Sequence, residues 1–145
     1  MHDVYNYIRT GAEFESVVSN IRTLYASPVN VSLGLGLTVQ AFNCFQLPEF
    51  YDYFEGMGID WFHIGAYMLQ TPKYLNIAVY PEPYRSAIHN KLKADGRFDH
   101  IVNYLDKNDK IKLWNKKTVP YAQALENRYK DKHTFDELLS KYLDI

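Results

Sequence analysis

The stretch that most limits what this chain can become is VNVSLGLGLTVQAFN, residues 29 to 43. Val29, Val31, Leu33, Leu35, Leu37 and Val39 hold the odd positions, and Asn30, Ser32, Gly34, Gly36, Thr38 and Gln40 the even ones. A period of two with aliphatic bulk on one side predicts a strand over residues 29 to 40. Its odd face can pack on helices; its even face is nearly bare. A strand buried between helices is ordinarily apolar on both faces. Glycine within a strand is entropically unfavourable and often marks close approach by a ligand or another backbone. A small molecule lying across Gly34 and Gly36 explains the pattern, and so does a solvent-facing or sharply bent sheet. The alternation alone leaves both open.

The flanks supply an α/β rhythm. Phe14, Val17, Val18, Ile21, Leu24 and Tyr25 fall on one helical face, and Pro28 closes that segment before the strand. After the strand, LPEFYDYFEGMG predicts a short aromatic helix with Pro48 in its first turn and Gly56 and Gly58 as its stop. A second strand is expected at residues 60 to 67, and a third, YLNIAVYP, ending at Pro81. Helix, strand, helix, strand with short joints implies a parallel sheet with crossover helices. Beyond it, residues 81 to 96, which begin with prolines, carry Ile88 and Leu92 on one face and stop at Gly96, read as a helix, and so do residues 97 to 108 and 119 to 132. Thr134 with Glu137 three residues on has the form of a capping box. The chain divides into an α/β part, residues 1 to 96, and a more polar helical extension, 97 to 145.

Charge and cysteine content narrow the partners. Sixteen basic and seventeen acidic residues are interspersed, which provides no electrostatic footprint for nucleic acid or an anionic membrane. No run approaches the roughly 18 apolar residues that span a bilayer, and residues 1 to 14 lack the apolar segment of a signal peptide. A soluble, cytoplasmic protein is expected. The single cysteine, Cys44, excludes an internal disulfide and a cluster held by three cysteines of this chain.

Side chains with chemistry are few. The five histidines are scattered without metal-ligand spacing, so no metal site is expected. His63 shares its strand face with Trp61 and Gly65 by alternation. Cys44 lies at the strand's C-terminal end, where α/β proteins place ligands, but no base accompanies it, and a buried inert thiol is the plainer reading. No catalytic residue can be named. Arg9 precedes the first expected helix; an arginine there can clamp a carboxylate or simply face solvent.

Read in order, YNYIRTGAEFESVVSNIRTL, TVQAFNCFQLPEFYDYFEGMGID and TPKYLNIAVYPEPYRSAIHNKL resemble the later part of a radical S-adenosylmethionine enzyme. The likeness covers roughly residues 5 to 92 and is nearest to the compact twitch group often encoded by phage and environmental genomes. It implies a partial, open (β/α) barrel of which this chain would carry the later strands, beginning after the fourth. It implies that Gly34, Gly36, Thr38 and Gln40 face a lumen holding S-adenosylmethionine and substrate. Asn43 matches the asparagine ending the strand motif, and Arg9 an arginine near the methionyl carboxylate. The family's CxxxCxxC loop for a [4Fe-4S] cluster is absent from this sequence. The resemblance therefore implies a fragment or split subunit, inactive alone, whose partner is an N-terminal half bearing the cluster. The alternative is a non-catalytic interaction module that self-associates or binds a partner through its exposed sheet edge. An unrelated α/β enzyme ranks last, since no nucleophile–base pair or phosphate loop is present.

Overall fold

The computed structural model describes residues 2 to 9, 11 to 129 and 134 to 141. Over these residues the chain is mixed α/β, mostly helical, with a two-stranded parallel sheet. It opens with a helix that the spacing did not predict, α1 (His2–Ile8), which buries Val4 and Tyr7 one turn apart. Gly11, at φ 84°, turns the chain into α2 (Phe14–Tyr25). That helix has no cap from its own flank; the Asn6 carboxamide of α1 accepts from Phe14 N at 3.3 Å. Arg9 thus follows a helix as well as preceding one.

The strand β1 (Leu33–Val39) begins four residues later than the alternation predicts. Residues 29 to 32 lie outside the sheet, and Val29 and Val31 are exposed. The partner that would fix them is missing, because β2 (Trp61–Met68) pairs no further back than Leu33. The crossover between the strands is α3 (Leu47–Glu55), with its proline in the first turn and Gly56 as its C-cap, as expected. Odd residues of β1 turn inward and even ones outward. Leu35 packs with Phe14, Val18 and Phe54 of the two helices, while Gly34, Gly36 and Thr38 are exposed.

The two strands run in parallel register, Leu35 opposite Ile64, Gly36 opposite Gly65 and Thr38 opposite Tyr67, with one irregularity. Leu33 pairs Trp61 but Gly34 pairs His63, so Phe62 is an extra residue and stands 83% exposed. A bulge of one residue reverses the side-chain alternation beyond it. Trp61 consequently packs on Phe54 in the core, its indole N–H donating to Phe54 O at 2.9 Å, while His63 faces outward. The expectation that His63 and Trp61 share a face is corrected by this bulge.

The third expected strand is not one. Residues 73 to 79 form two short 3₁₀ turns, Lys73–Leu75 and Ile77–Val79, hinged on Asn76. The Asn76 side chain accepts from Ala78 N at 3.0 Å and donates to Leu69 O at 2.6 Å, pulling the backbone out of an extended path. Burial here reflects a packed connector: Ile77, Ala78, Val79 and Tyr80 are fully enclosed.

The remainder is α4 (Tyr84–Asp95), ended by Gly96 at φ 81°, then α5 (Asp99–Lys107), a π turn at Trp114–Thr118, α6 (Val119–Tyr129) and α7 (Phe135–Ser140). The expected capping box forms, Thr134 Oγ1 accepting from Glu137 N and Glu137 Oε2 from Thr134 N. Residues 130 to 132 of the helix expected over 119 to 132 lie outside the described residues. These helices are not peripheral. Phe98, Ile101, Leu105, Phe135 and Leu139 share one core with Val39, Val79 and Tyr80. Arg97 pins this part to the crossover helix, pairing with Asp52, Glu55 and Asp95 over the faces of Tyr51 and Phe98. No described helix is long and apolar enough to cross a membrane.

Candidate functional site

Parallel strands with a crossover helix bring their C-terminal ends, and the loops leaving them, to one side of the sheet. Here that side is built by three local decisions. At the end of β1, Asn43 folds back, its Nδ2 donating to Thr38 O and its Oδ1 accepting from Gln40 N, both at 2.9 Å. This turn stops the strand and starts the 3₁₀ turn Cys44–Gln46 that leads into α3. The chain leaving β2 then crosses the end of β1, with Leu69 N donating to Val39 O at 2.9 Å and Ala41 N to Leu75 O at 2.7 Å. Finally α1 lies alongside, with Val4 and Ile8 toward the same space.

These elements enclose a cavity of about 570 Å³. Its wall includes four consecutive β1 residues, Leu35, Gly36, Leu37 and Thr38, which belong to both faces of the strand. The cavity therefore looks onto the edge of β1 that, among the described residues, no strand pairs. Arg9, Gly36, Thr38, Gln40 and Asn43 all line it; Gly34 does not, and lies on the exposed sheet face opposite His63. Most of the remaining wall is apolar, with Leu47, Phe50, Leu69 and Leu75 prominent. Alternation located Gly36 and Thr38, but nothing in it could locate α1 or the connector residues Leu69 and Leu75, which arrive through tertiary packing.

The polar groups at the cavity differ in availability. The Asn43 carboxamide is spent on the backbone turn. Gln40 is 9% exposed, and its carboxamide forms no hydrogen bond with any described residue. Arg9 stands exposed at the rim, its guanidinium likewise without a partner among the described residues. Cys44, close by in sequence, is not part of the chemistry. It is buried, its Sγ donates to Ala41 O at 3.5 Å, and burial pushes its thiol well above the ordinary cysteine range. A thiol held protonated is a poor nucleophile and a poor ligand.

On the outward sheet face, His63 Nε2 and Tyr67 Oη meet at 3.0 Å across Gly65. The pair covers that glycine so closely that a methyl group there would run into both side chains. His63 is exposed, and among the described residues its side-chain partner is Tyr67, so these residues form a surface pair. A smaller polar hollow between α4 and α5 is equally spent: Arg85 donates to Leu105 O and Asn108 O, and His89 pairs with Asp106 at 3.2 Å. Among the described residues no three histidine, cysteine, aspartate or glutamate side chains gather as metal ligands.

Fold and site together define an α/β chain with an edge-on cavity at the carboxyl end of a short parallel sheet. No family model, curated protein or solved structure matches it.

Proposed function

We propose that this chain is the later portion of a radical S-adenosylmethionine-type partial barrel, contributing part of the cofactor and substrate cavity. The supporting observation is convergence. Of six residues that the resemblance assigns to the cofactor, five, Arg9, Gly36, Thr38, Gln40 and Asn43, line one cavity. Gly36, Thr38, Gln40 and Asn43 come from β1 and the turn that ends it, and Arg9 is brought to them from the end of α1, a segment with no local reason to meet them. In this reading Arg9 pairs with the methionyl carboxylate, Gly36 admits the ligand against the strand, and Gln40 and Thr38 offer polar contacts. The volume suits a nucleoside-sized ligand, within the roughly 300 to 1,000 Å³ of small-molecule sites. S-adenosylmethionine, when bound to a reduced cluster, supplies radical chemistry.

The residues present do not fit a [4Fe-4S] cluster. Such a cluster takes three or four thiolates, and the one cysteine of this chain is buried and held protonated. The cluster then belongs to an N-terminal half, which would also pair with the open edge of β1. A reducing, cytoplasmic setting suits that partnership and the free thiol.

Binding of S-adenosylmethionine, followed by calorimetry and by amide shifts of residues 35 to 43, tests the cavity. Weak, saturable binding is expected, lost in Arg9→Ala. Anaerobic reconstitution with iron and sulfide tests the rest. Cofactor cleavage should appear only when a cysteine-bearing N-terminal half is added, and a stoichiometric cluster on this polypeptide alone would overturn the reading.

A second reading rests on the same unpaired edge: a non-catalytic module that adds a partner's strand to β1. It predicts self-association in size-exclusion chromatography and no saturable cofactor shifts.

A further inference from the structure

We infer that the lysine-bearing turn between α5 and α6 binds the phosphate backbone of a nucleic-acid duplex without regard to its sequence. The surface concerned is separate from the cavity, and its role does not depend on what the cavity holds.

Over the whole chain the charges balance, and the balance conceals this segment. Residues 107 to 117 hold five lysines, Lys107, Lys110, Lys112, Lys116 and Lys117, against one acid, Asp109, whereas the rest of the chain holds eleven basic residues against sixteen acidic. No acid occurs between Asp109 and Glu126. Lys110 is engaged within the fold, its Nζ donating to Tyr104 Oη at 2.6 Å. The other four are exposed, and among the described residues no carboxylate pairs with them. Like charges held together in this way repel one another, and an anionic partner relieves that repulsion.

The cluster is a fixed surface and not a tail. At its start Lys110 N donates to Ala78 O at 2.9 Å, and at its end Thr118 Oγ1 donates to Tyr74 O at 2.6 Å. Between them Trp114 packs on Tyr80, Tyr84 and Phe135. The backbone runs from the 3₁₀ turn Ile111–Leu113 directly into the π turn Trp114–Thr118. Helical spacing sets Lys112 and Lys116 two residues to either side of Trp114, hence together on the face opposite the packed indole, roughly 5 to 6 Å apart at Cβ.

That interval is close to the one between successive phosphates of a nucleic-acid strand, so neighbouring ammonium groups can meet neighbouring phosphates. Lysine suits the task, because it brings a point charge without the planar fork by which arginine reads a carboxylate or a single phosphate group. Asn115, exposed between the lysines, adds the neutral amide donors that meet phosphate and sugar oxygens. A duplex fits better than a single strand: it doubles the density of phosphate charge, and the aromatic ring of the segment, Trp114, is packed among other rings and not offered for base stacking. An anionic membrane is the poorer match, since the segment exposes one large apolar side chain, Ile111, to enter the headgroup layer.

The test is fluorescence anisotropy of short labelled DNA duplexes of two unrelated sequences, titrated with the whole chain at several salt concentrations, with an RNA duplex and phosphatidylserine vesicles in parallel. The two DNA sequences should bind equally. The logarithm of the binding constant should fall against that of salt with a slope of about −3 to −4, as when four lysines each neutralise a phosphate. Lys112→Gln combined with Lys116→Gln should reduce the slope by about 2. Lys93→Gln combined with Lys141→Gln removes the same charge from exposed positions elsewhere and should leave the slope unchanged. Binding of either duplex in this manner supports the inference, and the tighter of the two names the source of the backbone. No binding of either duplex at low salt, a slope indifferent to the Lys112 and Lys116 substitutions, or an equal reduction in the control pair would each overturn it. Binding to the vesicles alone would overturn it as well and assign the patch to an anionic membrane.

Discussion

Two buried carboxamides, Gln40 at the cavity and Asn76 in the connector, stand at either side of the same strand end and live under opposite conditions. Asn76 is fully enclosed and fully used, donating to Leu69 O, accepting from Ala78 N and accepting from Tyr104 Oη at 3.2 Å. Gln40 is almost as buried, and its carboxamide has no hydrogen-bond partner among the described residues. The contrast separates a side chain that holds the fold from one that the fold holds ready. An internal polar group that is satisfied specifies local structure, whereas one left unsatisfied lowers stability until something binds it. Burial alone would have put both in the same class.

Substitution is the direct way to break this comparison, and the largest effect should fall on the satisfied group. Asn76→Ala would strand Leu69 O, Ala78 N and the Tyr104 hydroxyl in the connector that closes the core. A loss of about 3 kcal/mol in urea denaturation is expected, given roughly 1 to 3 kcal/mol for each orphaned buried group and some relaxation. A loss below that of an ordinary surface substitution would mean that the connector can refold around an alanine.

Next in size is Tyr80→Phe. The Tyr80 hydroxyl donates to Ala41 O at 2.5 Å, at full burial, and burial pushes this phenol well above the ordinary tyrosine range. Without the hydroxyl, Ala41 O loses its strongest side-chain donor and keeps the weak Cys44 Sγ–H contact. About 1.5 kcal/mol should be lost, and Cys44 should stay unreactive toward Ellman's reagent unless the protein is unfolded.

Arg97→Met extends the comparison to the surface, where satisfied charges are worth less. The network it joins is partly exposed, so about 1 kcal/mol is expected, from weakened ion pairs together with lost stacking on Tyr51 and Phe98. Its pH dependence is more telling. A hydrogen bond from Arg97 holds the Asp95 carboxyl below its usual range. The folded pKa is thus lower than the unfolded one, so the stabilisation is complete above the unfolded value and disappears as pH falls through the folded one. The difference in stability between the parent and Arg97→Met should therefore narrow below about pH 4. A gap that stayed constant down to pH 2 would contradict the pairing.

The smallest change in stability is expected for Gln40→Leu. Replacing an unsatisfied buried amide by an apolar group of similar size should be neutral or stabilising by less than about 1 kcal/mol. A loss comparable to that of Asn76→Ala would show that Gln40 has a structural partner and would erase the contrast altogether.

Much of the frame was legible before any coordinates. The helix from Phe14, the crossover helix with Pro48 in its first turn, the Gly96 stop and the capping box at Thr134 each follow from signals within a few residues of where they act. The faces of β1 were legible too, since alternation determines which side chains can reach α2. Three features were not. YLNIAVYP has the composition of a strand, yet its one buried polar residue, Asn76, can bond its own neighbours and turns it into 3₁₀ segments. Phe62 carries no mark of a bulge; the extra residue appears only when Leu33 and Gly34 choose partners in β2. Helix α1 is a single short element whose stability comes from what Val4 and Tyr7 touch across the chain, including the Tyr7 hydroxyl donating to Ala122 O at 3.4 Å.

The sequence by itself determined the bare face of β1, the single thiol, and the presence of Arg9, Gly36, Thr38, Gln40 and Asn43, because residue type and spacing are local facts. Only the tertiary structure decided that the cavity opens on the edge of the strand and not on its bare face. It likewise decided that Gly34 stands apart from the other five, and that of two carboxamides at one strand end Asn43 is consumed and Gln40 is left free. The physical reason is that a hydrogen bond goes to whichever group packing brings within reach. For this cavity those groups come from α1 and from the connector after β2, which chain proximity to β1 does not foretell.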